Sequence, residues 1–454
     1  MNYENILAEV PDYQSFCTVD ELNASSRRLV ETFPERAEWS VIGQSRRGED
    51  IPALRIGQGE RAALLFAMPH PNEPIGSMML EFLSWRLASD PDLVRALGYT
   101  WYMVKCVDPD STRLNEGWFK GPFTLPHYAR HYYRPPSNRQ IEWTFPVNYK
   151  TLRFDAPLPE TRALMNLIRE VQPALLYSLH NSGFGGAYFY VSGACPPLHD
   201  AFAGLVAGQG LPLHRGEPEL SFMTEHAPAI FQVPTAADIY EYYAGHSDRD
   251  PASLFQAGTS SFDYAGRIAN AFGLVCELPY FYNAKIDNQT PTDRSRRDCI
   301  LEALERDRGY CADLQKRYDR VQSYLTIPSP FRETVEHYLE HVPGALDADE
   351  NWAKTDPDLA RPATVAEAFD TLVIAKYWRA FHLSPFLRMV EAEAEASGWD
   401  GVLREAFQDA ERAFNEHSQM VLQGLPYEVI PIQKLVRIQL GAGLLTARFV
   451  RENL

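Results

Sequence analysis

Apolar runs of strand length, several of them ending on a histidine or a glutamate, constrain this chain more than any other feature. Over the first ~330 residues they alternate with segments of helical period, which is the pattern of an α/β fold built on a mixed, twisted sheet flanked by helices. Strands are predicted at 39–42, 51–56, 62–68, 99–107, 174–179, 187–191 and 272–276, and helices at 19–33, 74–88, 159–171 and 261–270. A long amphipathic helix is predicted at 295–325, and Thr326-Ile-Pro-Ser-Pro330 breaks it, because two prolines remove backbone donors and forbid continuation. Beyond the break, 365–381 and 399–423 keep helical period with few strand signals. At 454 residues the chain exceeds one ordinary domain. The reading is an α/β domain over 1–325 and an additional C-terminal all-α domain over 331–454, of unassigned role.

Charge and composition exclude several classes of function. A formal charge of −17 with no Lys/Arg-rich run repels a phosphate backbone, so no nucleic-acid partner is expected. No stretch approaches the ~20 apolar residues that span a bilayer, and the start lacks a basic segment followed by an apolar one. A protein of the cytoplasm with no membrane partner is therefore predicted. Its 6 cysteines form no Cys-x-x-Cys pair, which argues against a zinc ribbon, a redox motif or a disulfide framework. Cys276, beside Glu277, reads as a strand residue turned to the core, since strand neighbours point to opposite faces.

Three strand ends carry the chemistry. The run Ala62-Ala-Leu-Leu-Phe-Ala-Met68 delivers Pro69-His70-Pro71-Asn72-Glu73-Pro74 into the loop before a helix, where ligands of open α/β sheets bind. Asn72 is expected to cap that helix and Pro74 to open it, fixing His70 and Glu73 as two ligands for one cation. His-x-x-Glu alone is a weak signal; His337-Tyr-Leu-Glu340 repeats it on a helix and reads as a solvated face. Ala174-Leu-Leu-Tyr-Ser-Leu-His180 ends on a third ligand, and two His with one Glu leave a zinc position open to water. Phe272-Gly-Leu-Val-Cys-Glu277 ends on a carboxylate, costly at a buried strand tip unless paired or functional and suited to be a general base.

Together the three strand ends resemble the zinc carboxypeptidase family, the funnelin-type metallocarboxypeptidases of carboxypeptidase A/B type. The resemblance begins with Tyr13-Gln-Ser-Phe16 and Ile42-Gly-Gln-Ser-Arg-Arg-Gly-Glu-Asp50, includes Pro159-Glu-Thr-Arg-Ala163 and reaches residue 325. It implies one Zn²⁺ per chain on His70, Glu73 and His180, with Glu277 as general base. Asp263 stands at the family's spacing from Glu277. The resemblance also implies an arginine that steadies the oxyanion, for which Arg134 is the candidate and Arg130 the rival. The family's Asn-Arg clamp for a substrate carboxylate aligns with Asn148-Tyr149, so its arginine is missing, and Asn138-Arg139 lies too close to Arg134 to replace it. The family's mobile tyrosine aligns with Phe255, and its pocket-base position falls on Phe262, which suits an apolar side chain. Lys150, Arg153 and Arg267 are candidate replacements for the clamp.

The function expected is hydrolysis of a peptide or peptide-like amide by zinc and Glu277, with an altered carboxylate clamp. Its alternatives are an acyl-amide deacylase and a zinc-binding recognition protein with little catalysis. In the insertion before Phe255, Tyr240-Glu-Tyr-Tyr243, His226 and His246 read as core or loop residues.

Overall fold

The computed structural model describes residues 3–220, 222–246 and 249–454. Its main sheet contains β1 (Ala37–Gln44), β2 (Asp50–Ile56), β3 (Arg61–Ala67), β4 (Tyr99–Val104), β5 (Leu175–Leu179), β6 (Tyr188–Val191), β7 (Glu225–Ala227), β8 (Ile230–Gln232) and β9 (Phe272–Glu277). In space they run β1-β2-β4-β3-β5-β9-β6-β8-β7. The central neighbours β4, β3, β5 and β9 are parallel, and antiparallel pairs lie toward both edges, so the sheet is mixed as predicted.

The central strands read as unbroken apolar runs because both faces are covered. Leu64, Phe66 and Leu176 point into one layer of core, and Ala63, Leu65, Leu175, Tyr177 and Leu179 into the other, in the alternation that a strand imposes. Eight helices matter for the site: α1 (Val19–Thr32), α2 (Ile75–Ser89), α3 (Pro159–Val171), α4 (Pro196–Gly208), α5 (Ser261–Ala269), α6 (Arg296–Val321), α7 (Pro330–Thr355) and α8 (Ile432–Asn453). Helices α3 and α5 pack on the first face, and α2, α4 and α8 on the second.

Register brings the predicted tips together. Ala67 pairs with Leu179, Leu179 with Cys276, and Glu277 with Tyr188. The residues that follow β3 and β5, and the last residue of β9, therefore emerge side by side at one edge of the sheet. Met68 takes a positive φ of 57°, rare for a side chain of this kind, and turns the chain from β3 into the His70 loop.

The helical half departs from expectation in two places. The helix predicted at 365–381 is interrupted by a wider turn over Asp370–Ile374. The long helix stops at Val321, and after a short turn the amides of Thr326 and Ile327 are held by the buried Glu393 carboxylate. The proposed boundary at 325–331 sits on this break, yet one hydrophobic core runs across it. The last helix, α8, lies on the sheet itself, where Tyr99 and Tyr177 donate to its Ala447 and Gln439 carbonyls.

Candidate functional site

The loop after β3 and the tips of β5 and β9 place His70, Glu73, His180 and Glu277 within one buried cluster, with exposures of 4%, 1%, 4% and 7%. Nδ1 of His70 lies 3.1 Å from Glu73 Oε1, Nδ1 of His180 lies 3.1 Å from Glu73 Oε2, and the two Nδ1 atoms are 3.1 Å apart. These three residues form the His/Cys/Asp/Glu group able to hold a metal ion among the described residues.

The donor set fits zinc. Tetrahedral ligands held at about 2.0–2.1 Å from Zn²⁺ lie roughly 3.3 Å from one another, so a widening of a few tenths of an ångström would admit the ion. Two imidazole nitrogens facing each other and a carboxylate need a positive charge between them. The chain's own charges show the same demand. Burial and the nearby Arg134 guanidinium hold His70 down to about 4. Burial opposes charge on His180, but Glu142 and Glu73 outweigh it and push its imidazole up to about 10. Burial also works against the Glu73 carboxylate, yet the two histidines keep it below the ordinary carboxylate range.

Glu277 belongs to the same cluster without being locked into it. Its Oε1 lies 3.8 Å from His180 Nδ1, and its Oε2 is buried with no hydrogen-bond partner. Burial, and then the Glu73 charge, raise it well above the ordinary carboxylate range. Arg134 reaches the cluster from its loop, with Nη1 3.3 Å from Glu73 Oε1 and Nη2 2.9 Å from His70 Nε2. It also borders a cavity of about 650 Å³ walled by α7, where Gln140, Gln256, His337 and His341 face the same space. Arg130, the rival, pairs instead with Glu391.

The cap of α2 is a correction. Asn72 does not cap it; Pro74 occupies that position with no side-chain bond, and Asn181 Oδ1 accepts from the Ile75 amide at 3.1 Å. The residue after one histidine thus braces the helix that follows the other. Asn72 instead donates to Tyr128 Oη at 3.3 Å.

The clamp region lies on a small hairpin packed against the helix Ala236–His246. Tyr149 Oη donates to Glu241 at 2.7 Å, and Lys150 pairs with the same carboxylate. Asn148 is exposed. Arg153 donates to its neighbour's carbonyl, and Arg267 bonds Pro146 O and Asp263. Phe255 packs edge-on to Tyr243, while Phe262 is buried with its ring on Gly273, where a β-carbon would meet it at 2.3 Å. Of the other histidines singled out, His226 bonds Gln232, His246 bonds the Tyr242 carbonyl, and His337 bonds Gln256 beside an exposed Glu340.

Sequence reasoning passed over Glu142, Asn181 and Gln439. Glu142 is 1% exposed and touches the His180 side of the cluster. Gln439, on α8, donates from Nε2 to the His180 carbonyl at 2.8 Å and to the Cys276 carbonyl at 3.3 Å. Only Asn181 carried a signal, as a capping residue type directly after a strand-end histidine.

Comparison with known proteins gives one family: the zinc carboxypeptidase model matches residues 22–207. That span takes in His70, Glu73, Arg134 and His180 and ends before Glu277. Carboxypeptidase D of Drosophila melanogaster is 25% identical over 198 residues, 40% of this chain and 14% of the relative's own length. Among solved structures, carboxypeptidase A from Helicoverpa armigera is 17% identical with a TM-score of 0.40, covering 59% of this chain and 66% of that one. A metallo-carboxypeptidase from Burkholderia cenocepacia is 16% identical with a TM-score of 0.35, over 58% and 60% of the two chains.

Proposed function

We propose, from the match of residues 22–207 to the zinc carboxypeptidase family model, that this chain is a zinc-dependent hydrolase of peptide or peptide-like amide bonds, with His70, Glu73 and His180 as its metal ligands. The observation that carries the reading is the meeting of these three donors beside a buried carboxylate, Glu277, that has one oxygen free. One zinc ion per chain would supply Lewis acidity and bring the pKa of a water toward neutrality.

The rest of the chemistry belongs to the chain. Glu277 takes the proton of the attacking water on its free oxygen and returns it to the leaving amine. Arg134 supplies a fixed positive charge toward the carbonyl oxygen as negative charge develops there. Low exposure around the cluster keeps the surrounding dielectric low, so each charge acts more strongly than it would in water.

The substrate class follows from the altered clamp. Tyr149, which the sequence aligns with the family's arginine, donates to Glu241, and Lys150 is held by the same glutamate. This supports substrates whose terminal carboxylate is blocked, or linkages that are not terminal, including small acyl-amides. A cytoplasmic setting is part of the proposal and is supported by 6 free cysteines. Among the described residues no helix is long and apolar enough to cross a membrane.

The test pairs elemental analysis of zinc in the wild type and in His70→Ala with mass spectrometry of free and C-terminally amidated peptide libraries. One equivalent of zinc, lost in the variant, with cleavage of blocked or internal bonds is the expected result. Trimming of free peptides alone would restore an ordinary carboxypeptidase, and absence of zinc would overturn the reading.

A further inference from the structure

Glu142 sits in a short turn, Ile141–Trp143, at 1% exposure, where an uncompensated carboxylate would be costly. Its Oε1 accepts from the Ser261 amide at 2.9 Å and from the Ser261 hydroxyl at 2.7 Å. Its Oε2 accepts from the Ser178 hydroxyl at 3.0 Å and lies 3.7 Å from Nε2 of His180. The Ser178 oxygen is itself 2.8 Å from that same Nε2.

These contacts place a hydrogen on Nε2 of His180 by elimination. An ionised carboxylate only accepts, so the Ser178 hydroxyl gives its proton to Glu142. The Ser178 oxygen then has only lone pairs left to offer, and the partner facing it must carry hydrogen. Nε2 of His180 is that partner, which leaves Nδ1 facing Glu73 and His70. A metal-bound imidazole oriented through its far nitrogen is a general device, and here a serine stands between carboxylate and ring.

We propose that Glu142 is a positioning residue for the third metal ligand, holding His180 through Ser178 with Nδ1 turned to the metal position. The inference rests on the zinc reading given above and adds a residue beyond its ligand set and base. It also links the site to α5, which Ser261 opens. Glu142 thus joins the tip of β5 to the start of the helix that leads into β9 and Glu277.

The test uses the purified full chain and reads metal binding without turnover. Zinc affinity is measured by competition with a chelator for the wild type, Glu142→Gln and Ser178→Ala, and the visible spectrum of the Co²⁺-substituted protein reports ligand geometry. Glu142→Gln is expected to weaken zinc binding about 10- to 100-fold and to shift the Co²⁺ spectrum. Ser178→Ala is expected to shift the same spectrum in a background that keeps the Ser261 bonds, and it decides the matter if Glu142→Gln fails to fold. Unchanged affinity and spectrum in a folded variant overturn the proposal. A wild type that binds zinc but cleaves no amide defeats only the hydrolase reading, whereas a wild type without zinc defeats both.

Discussion

At the scale of single residues, the division of labour depends on which polar atoms are already occupied. Glu73 spends both oxygens on the two histidines, whereas Glu277 keeps one oxygen free beside them. The expected consequence is that Glu277→Gln lowers turnover by about 10²- to 10⁴-fold, the range of a lost general base, while zinc content stays at the wild-type level. Rate assays on a cleaved substrate and elemental analysis check the two halves, and loss of zinc in that variant would make Glu277 a ligand instead. The four residues were legible in sequence because each lies on or just beyond a strand tip, where a polar side chain interrupts an apolar run. Glu142 was not, since nothing in Gln140-Ile-Glu-Trp143 separates a buried carboxylate from a surface one; only the folded contacts with Ser178 and Ser261 do.

At the scale of elements, the sheet order was legible as a class but not as a register. Apolar runs announce buried strands, yet which tip lies beside which is decided by long-range pairing such as Ala67 with Leu179. Close approach of α2 to those strands depends on Gly76, where a methyl group would lie 2.4 Å from Leu179 Cβ and 3.2 Å from Ala67 Cβ. Gly76→Ala should therefore cost about 1–3 kcal/mol by overpacking, measured by denaturant unfolding, and weaken zinc binding, because Leu179 directly precedes His180. The turn at Asp370–Ile374 was invisible to periodicity, which continues through it. In the fold it presents Asp370 to the Glu217 amide at 3.0 Å and to His214 Nε2 at 3.3 Å. Burial lowers the His214 pKa and the Asp370 carboxylate raises it, with a net rise. A pKa raised on folding stabilises the native state fully below the unfolded value of ~6.5 and loses that contribution as pH climbs through the folded value. The melting-temperature gap between wild type and His214→Asn is thus expected to be widest near pH 6 and to narrow toward pH 9.

At the scale of the whole molecule, the division into 1–325 and 331–454 proposed from the sequence meets a helix that crosses it. The sequence placed residues 331–454 in an all-α domain but carried no information about the packing partner of α8, and its partner is the main sheet. Gln439 is wholly buried and bonds the carbonyls of His180 and Cys276, the residues at two of the strand tips that build the site. Gly443 lets α8 approach Tyr177, whose hydroxyl bonds the Gln439 carbonyl at 3.0 Å. Removing Gln439's donor strands two buried carbonyls, each at a desolvation cost of about 1–3 kcal/mol, so Gln439→Leu should lower stability on that order and loosen zinc binding. The same geometry sets an expectation for the proposed boundary. Proteolysis in the 326–330 segment should leave two pieces that co-elute in gel filtration and still hold zinc, because α8 stays on the sheet after the chain is cut. Residues 1–325 expressed alone should fail to hold zinc, and adding 331–454 should restore binding. A 1–325 fragment that folds and binds zinc unaided would show instead that α8 is an accessory layer, with the strand tips set by the sheet alone.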